Sequence, residues 1–353
     1  MAAARSSDDE GDLPGEVALP AGDDLDAFEK SRLVDSKGRK FKDVRRELSP
    51  RLARVWSHIL AGHAVLFGTG AALFVARDRL GASNLVGLAL VPAGAFVVGY
   101  TIAYIQLFFH EAAHYNIAKS RKANDLLANL FIGSLVGQDI RAYRPIHFDH
   151  HRYLGTTKDT EQSYFDALTG RFIFEALTGL RVLRILSRRQ RAAKAPKPAN
   201  AAGPTAASTP KKSLFNAQLL LGLAIHGALV GAAVLTRHWI FGLAWVCGMG
   251  IVFPFFASVR QVLEHRSFDA RADADYWATP HGPVNRIFGS GPLASTMGAA
   301  GFNRHLLHHW EPQVSYTRFA ELEAYLKDTE VGPLLETRRV TYLQTFARLL
   351  RAR

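Results

Sequence analysis

Four stretches of the chain run apolar for as long as a helix needs to cross a bilayer. Residues 56–76, 85–109, 214–235 and 239–259 contain no Asp, Glu, Lys or Arg. About 20 residues at 1.5 Å rise span a ~30 Å hydrocarbon core, so each stretch is long enough. The first two are separated only by Arg77-Asp78-Arg79-Leu80-Gly81-Ala82-Ser83-Asn84, and the second two by Thr236-Arg237-His238. Separations that short predict two helical hairpins. Pro92 and Pro254 fall inside the apolar stretches, where a membrane span tolerates them better than a soluble helix does. Apolar patches at 126–136 and 292–302 are too brief to span, and Gly133, Gly137, Gly298 and Gly301 within or beside them predict helices that lie in the interface or pack under a site. The expected fold is an all-α integral membrane protein of four transmembrane helices, with a cytosolic helical cap holding the polar segments between them.

Charge divides the rest. Residues 1–30 are acidic, with no apolar core of the signal-peptide kind, and predict a disordered tail. Residues 31–55 turn basic, and two readings stay open, a segment lying along an anionic membrane surface and a solvated linker. The loop 181–212 carries nine Lys and Arg and no acid, which places it and both termini in the cytoplasm by the positive-inside rule. Its 190–212 portion, rich in Ala and Pro, reads as a flexible linker inside a membrane domain of 56–320, and 321–353 as a helical tail. The net charge of +12 (Lys+Arg 43, Asp+Glu 31) therefore points to cytoplasmic loops, not to nucleic acid. The single cysteine, Cys247, excludes a disulfide framework and any CxxC site.

The chemistry lies in the histidines. Of 14, nine fall in four short clusters: His110-Glu111-Ala112-Ala113-His114, His147-Phe148-Asp149-His150-His151, Gln261-Val262-Leu263-Glu264-His265 and His305-Leu306-Leu307-His308-His309. In HExxH the imidazoles at i and i+4 share a helical face, and in HxxHH so do i, i+3 and i+4. The hairpin topology brings all four clusters to one end of the spans. Nine imidazoles exceed the four to six ligands of one ion and fit two. Spacing does not choose among zinc, copper, iron and nickel. A site at a membrane face meets lipid chains, whose unactivated C–H bonds need a redox metal and dioxygen, and this favours a di-iron centre. Glu111, Asp149 and Glu264 are candidates to accept the second ring N–H of a ligand histidine. Gln261, four residues before His265, is placed to bond a water at the metal. His58, His63 and His226 lie within spans, where a backbone carbonyl or another helix would engage them; His238 lies in a turn, and His281, in a loop beside Pro280, stays open as a neighbour of the site without support from its spacing.

These motifs resemble the membrane fatty acid desaturase/hydroxylase superfamily over about 50–320. HEAAH, HFDHH and HLLHH match its three histidine boxes in order, type and position relative to the spans. His309-Trp310-Glu311-Pro312-Gln313-Val314 resembles the continuation of the last box, and His150-His151-Arg152-Tyr153-Leu154-Gly155 is similar to the second box of sphingolipid desaturases. The family's additional ligand maps onto His265, and Gln261 stands where acyl-CoA desaturases and alkane hydroxylases have Asn. The resemblance implies two iron ions held by His110, His114, His147, His150, His151, His265, His305, His308 and His309, with no catalytic residue separate from these ligands. It implies dioxygen as co-substrate and a lipid or fatty acyl substrate. It also implies two electrons from a separate protein of the ferredoxin, rubredoxin or cytochrome b5 type.

The sphingolipid-like HHRYLG favours desaturation. An alkane- or lipid-hydroxylating monooxygenase on the same scaffold is the alternative. An intramembrane zinc metalloprotease is a remote one, since residues 214–259 offer no carboxylate as a third ligand and seven histidines would go unused. The Ala- and Arg-rich composition is associated with a GC-rich bacterial genome, and so with an inner membrane.

Overall fold

Apolar stretches without internal charge form long helices, and in the computed structural model four of them are long and apolar enough to cross a membrane. The structure describes residues 25, 28–79, 84–185, 187 and 217–352. The expected 190–212 linker, most of the acidic tail and the middle of the first hairpin turn lie outside these residues. A short helix α1 (Phe41–Glu47) precedes the spans α2 (Leu52–Arg79) and α3 (Asn84–Ala113). Then come α4 (Arg121–Ala128) and α5 (Ile140–Tyr153). The second hairpin follows as α6 (Ala217–Leu235) and α7 (Trp239–Cys247), the latter running through a π-helical turn at Gly248–Val252 into α8 (Phe253–His265). Helices α9 (His305–Trp310) and α10 (Phe319–Lys327) complete the layer that carries the site. Among the described residues there is no β-strand, only two isolated bridges.

The spans turn apolar surface outward. Only 11% of the apolar window of α6 is buried within the chain, so lipid must cover the rest. Where spans touch, small residues let them approach: a Cβ on Gly99 of α3 would lie 2.5 Å from the carbonyl oxygen of Gly248 and 2.5 Å from Cβ of Val252. The π-turn sits just before Pro254, where the missing N–H would otherwise leave a carbonyl without a partner. The patch at 126–136 packs beside the third span: the Leu135 carbonyl accepts from His226 at 2.8 Å, and Gly222 lies against Ser134.

Two terminal segments depart from expectation. The acidic tail was expected to be disordered to residue 30, yet Leu25 is only 1% exposed and Lys30 bonds the Trp310 carbonyl and, at 3.0 Å, the Glu311 carboxylate. The 31–55 segment buries Leu33, Phe41, Val44 and Leu48 against Leu322, Tyr325 and Leu326. Hydrophobic burial thus pins Leu25 and residues 33–48 to the elements that carry and follow the last histidine cluster. The end of the chain packs on the base of α8, where Tyr342 stacks on Phe288 at 3.8 Å and Leu349 joins Val262 and Leu263.

Candidate metal centre

Helix α3 continues past the membrane-length stretch, so the first four residues of HEAAH form its last turn and His114 follows directly. The helix stops at Tyr115, which takes a left-handed φ of 62° while the N–H of Asn116 bonds back to the Glu111 carbonyl at 3.0 Å. A tyrosine rarely adopts that conformation. Here its ring is clamped between the guanidinium groups of Arg144 (4.0 Å) and Arg121 (4.9 Å), and Arg144 also donates to the Ala113 carbonyl at 2.9 Å. This stop fixes His114 one turn beyond His110.

The nine clustered histidines meet in two groups. His110, His114, His147, His151 and His308 form one, and His150, His265, His305 and His309 the other; within each group the available ligand atoms lie within 4.8 Å of one another. The two HxxHH boxes interlock the groups. On α5 the i and i+4 pair, His147 and His151, belongs to the five-membered group while His150 belongs to the four-membered one. On α9 the assignment is reversed: His305 and His309 join the four, and His308 joins the five. Neither group can be assembled without both helices.

Ring nitrogens converge at each centre. The Nε2 atoms of His114 and His147 are 2.9 Å apart, those of His147 and His151 3.0 Å, and those of His151 and His308 2.8 Å; in the second group Nε2 of His305 lies 3.0 Å from those of both His265 and His309. Several of the opposite nitrogens are held by acceptors. Nδ1 of His150 faces Asp159 at 2.9 Å, Nδ1 of His147 faces Glu161 at 3.3 Å, and Nδ1 of His265 faces the Val284 carbonyl at 3.0 Å. An Nδ1–H donated outward leaves the Nε2 lone pair aimed inward, the tautomer a metal ligand needs. Burial and then the neighbouring imidazoles hold His151, His305, His308 and His309 well below the ordinary histidine range, so they stay neutral. Both nitrogens of His110 are buried with no hydrogen-bond partner. Converging neutral imidazoles with orphaned nitrogens satisfy one another poorly and a cation well, so the donor set fits two metal ions.

The supporting carboxylates are not those expected. Glu111 is buried and accepts from Ser315 Oγ at 3.0 Å, Glu264 is paired with Arg260 at 2.6 Å, and Asp149, half-buried on α5, contacts no histidine nitrogen. The role falls instead to Asp159 and Glu161, which follow the second box. Burial works against ionisation of Glu161, but His150, His147 and Arg260 outweigh it and hold its pKa low. His150 is likewise opposed by burial, yet Glu161 and Asp159 leave its pKa raised. Gln261 was expected to face a water at the metal. Its amide is instead engaged behind the histidines, donating to Glu161 Oε2 at 2.8 Å and accepting from Ser163 Oγ. Phe302 forms an apolar wall between the groups, 4.4 Å from the ring of His110 and stacked on His305 at 4.9 Å, with Arg260 4.0 Å over its other side.

The remaining histidines lie outside the two groups. His63 faces the Ile59 carbonyl, His226 the Leu135 carbonyl, and His58 the Tyr316 hydroxyl on another element. His281 is fully buried, and burial lowers its pKa to about 4; it accepts from the Ser267 N–H at 3.2 Å and stays outside both groups. The glycine of HHRYLG has a backbone reason. Gly155 has φ +76°, a Cβ there would fall 2.1 Å from the Gly282 backbone, and its carbonyl accepts from the N–H groups of both His281 and Gly282. Its own N–H donates to the Tyr164 hydroxyl, which in turn donates to Asp159.

A family model described as fatty acid desaturase matches residues 87–342, a span that contains all nine clustered histidines, Asp159 and Glu161. No curated protein matches the chain.

Proposed function

The chain belongs to the fatty acid desaturase family, and on that premise we propose that it is a di-iron lipid desaturase. In this reading it inserts a double bond into an acyl chain using dioxygen and two electrons from a separate carrier protein. The observation that carries the reading is the interlocked five-plus-four arrangement of imidazoles at the ends of the spans. His110, His114, His147, His151 and His308 would hold one iron and His150, His265, His305 and His309 the other. Bound iron would supply the one-electron chemistry and dioxygen activation that an unactivated C–H bond requires. The chain's own residues do the rest. Asp159 and Glu161 fix ring orientation, α5 and α9 lock the groups together, and Phe302, buried against His110 and His305, keeps the surroundings of the reacting methylene chain apolar. Where that chain is held, to about an ångström, decides whether a second hydrogen is lost to give an alkene or oxygen is returned to give an alcohol. The similarity of His150–Gly155 to sphingolipid desaturases favours the alkene.

The test is reconstitution in detergent with ferrous iron. The proposal expects about two irons per chain, loss of iron and turnover in His150→Ala, and retention of iron in His281→Ala. A His150→Ala protein that kept both iron and turnover would sink the ligand assignment.

A further inference from the structure

A broad groove of about 590 Å³ opens beside the histidine centre. Its floor is the partly exposed rings of His114 and His151, its walls include Phe148 and Pro312, and Arg121 and Arg152 line it from the exposed surface. These two arginines pair with no carboxylate among the described residues: Arg121 lies 4.9 Å over the Tyr115 ring and Arg152 5.9 Å from that of Tyr153. Lys119, Lys122 and Lys158 are exposed on the same segments. Most acids nearby are committed elsewhere. Asp125 is ion-paired with Arg144, Glu161 is engaged behind His147, and Glu311 is held by Lys30 at 3.0 Å and Arg45 at 2.8 Å; half-buried Asp149 is the exception. At the centre Phe148 is 42% exposed, a large ring presented to solvent.

We propose that this groove is the docking surface of an acidic one-electron carrier protein, which passes electrons to the centre through the edges of His114 and His151. The proposal rests on the oxidoreductase reading above. Two docking events, each oxidising one carrier, supply two electrons. With two protons and the two hydrogens removed from the acyl chain, they reduce one dioxygen to two waters. Uncompensated cations around an exposed aromatic ring are what an acidic partner recognises: the rim charges set encounter rate and salt dependence, and the desolvated ring anchors the contact. An acyl chain is the less suitable occupant, because it needs an enclosed dry passage and this groove lies open between two guanidinium groups.

The experiment compares the full-length, iron-loaded protein with Lys122→Glu/Arg152→Glu and Lys122→Arg/Arg152→Lys double variants. Plant-type ferredoxin, rubredoxin and cytochrome b5 serve as carriers and dithionite as a small-molecule reductant. For the carrier that binds best, the Glu pair should weaken affinity for its oxidised form about tenfold and flatten the salt dependence. The charge-conserving pair should remain near wild type, and iron content and dithionite-driven turnover should not change in either. Unchanged carrier affinity in the Glu pair overturns the proposal, as does wild type that turns over with dithionite but binds none of the three carriers. Equal losses with carrier and dithionite, or a loss seen instead in binding to vesicles of anionic phospholipid, would assign the groove to the lipid. Iron-loaded wild type inactive with every reductant would defeat the enzymatic reading itself, while carrier binding would still be measured separately.

Discussion

Replacing Asp159 with alanine should remove iron from one histidine group while largely sparing the other. The Asp159 side chain is fully buried and gathers three donors: Nδ1 of His150 at 2.9 Å, the Tyr164 hydroxyl at 2.5 Å and the Glu161 N–H at 2.8 Å. Hydrogen bonds to a charged acceptor contribute ~1.5–3 kcal/mol each, and their sum is reduced by water entering the space left behind. A stability loss on the order of 3–5 kcal/mol follows, the size expected when one partner of a buried pair is removed. Freed from its acceptor, His150 loses tautomer and orientation, and disruptions of this kind cost about 10–100-fold in metal affinity. Because His150 belongs to the four-membered group, iron should fall from about two per chain toward one under chelator challenge. Glu161→Ala should strike the other group through His147. Iron per chain across a chelator titration, read beside a thermal melt in detergent, separates ligand positioning from unfolding. Asp159→Ala protein with wild-type iron stoichiometry, chelator midpoint and melting temperature would refute the reasoning.

Other outcomes follow from the same geometry. Gly155→Ala should misfold the second box, since its Cβ would fall 2.1 Å from backbone, whereas Gly38→Ala, at φ +78° in open space, should cost only about 1 kcal/mol; thermal melts of the two make the comparison. Gln261→Ala should keep most of the iron and lose about tenfold in turnover by releasing Glu161, and full activity would remove Gln261 from the site's support. Stripping iron with a chelator should lower the melting temperature by roughly 5 °C, reversibly on adding ferrous iron, as for any ligand that binds only the folded state; no shift would mean that the metal does not hold the groups together.

Much of this was legible in the sequence because it is periodic. Uncharged stretches of membrane length gave the four spans, and the short 236–238 break gave a hairpin turn. Hairpin topology brought the clustered histidines to one end and helical spacing put those of each box on one side, while the place of His281, outside both groups, could not be read from spacing. Local periodicity could not show how the boxes divide. Spacing puts His147, His150 and His151 on one side of a helix, but which imidazole serves which group depends on how α5 crosses α9. Nor could it find Asp159 and Glu161, which sit in irregular backbone after the box and approach their histidines through a loop closed at Gly155. Acids inside the clusters drew attention by proximity in sequence, yet on a helix the residue next to a ligand points away from it, so Glu111 and Glu264 turn to Ser315 and Arg260 instead. Charge hid the packing of Leu25, Leu33, Phe41, Val44 and Leu48, which dock against α9 and α10.

The central claim is that the centre desaturates a lipid chain, and high-resolution mass spectrometry of total lipids tests it most directly. Host cells expressing the protein are compared with cells expressing its His150→Ala variant. A lipid about 2 Da lighter than its parent, present only with the unaltered chain and placed by fragmentation at one bond, is the predicted result. A product about 16 Da heavier would contradict desaturation and make the enzyme a hydroxylase. A lipid profile identical to that of His150→Ala, from protein shown to carry both irons, would contradict the account as a whole.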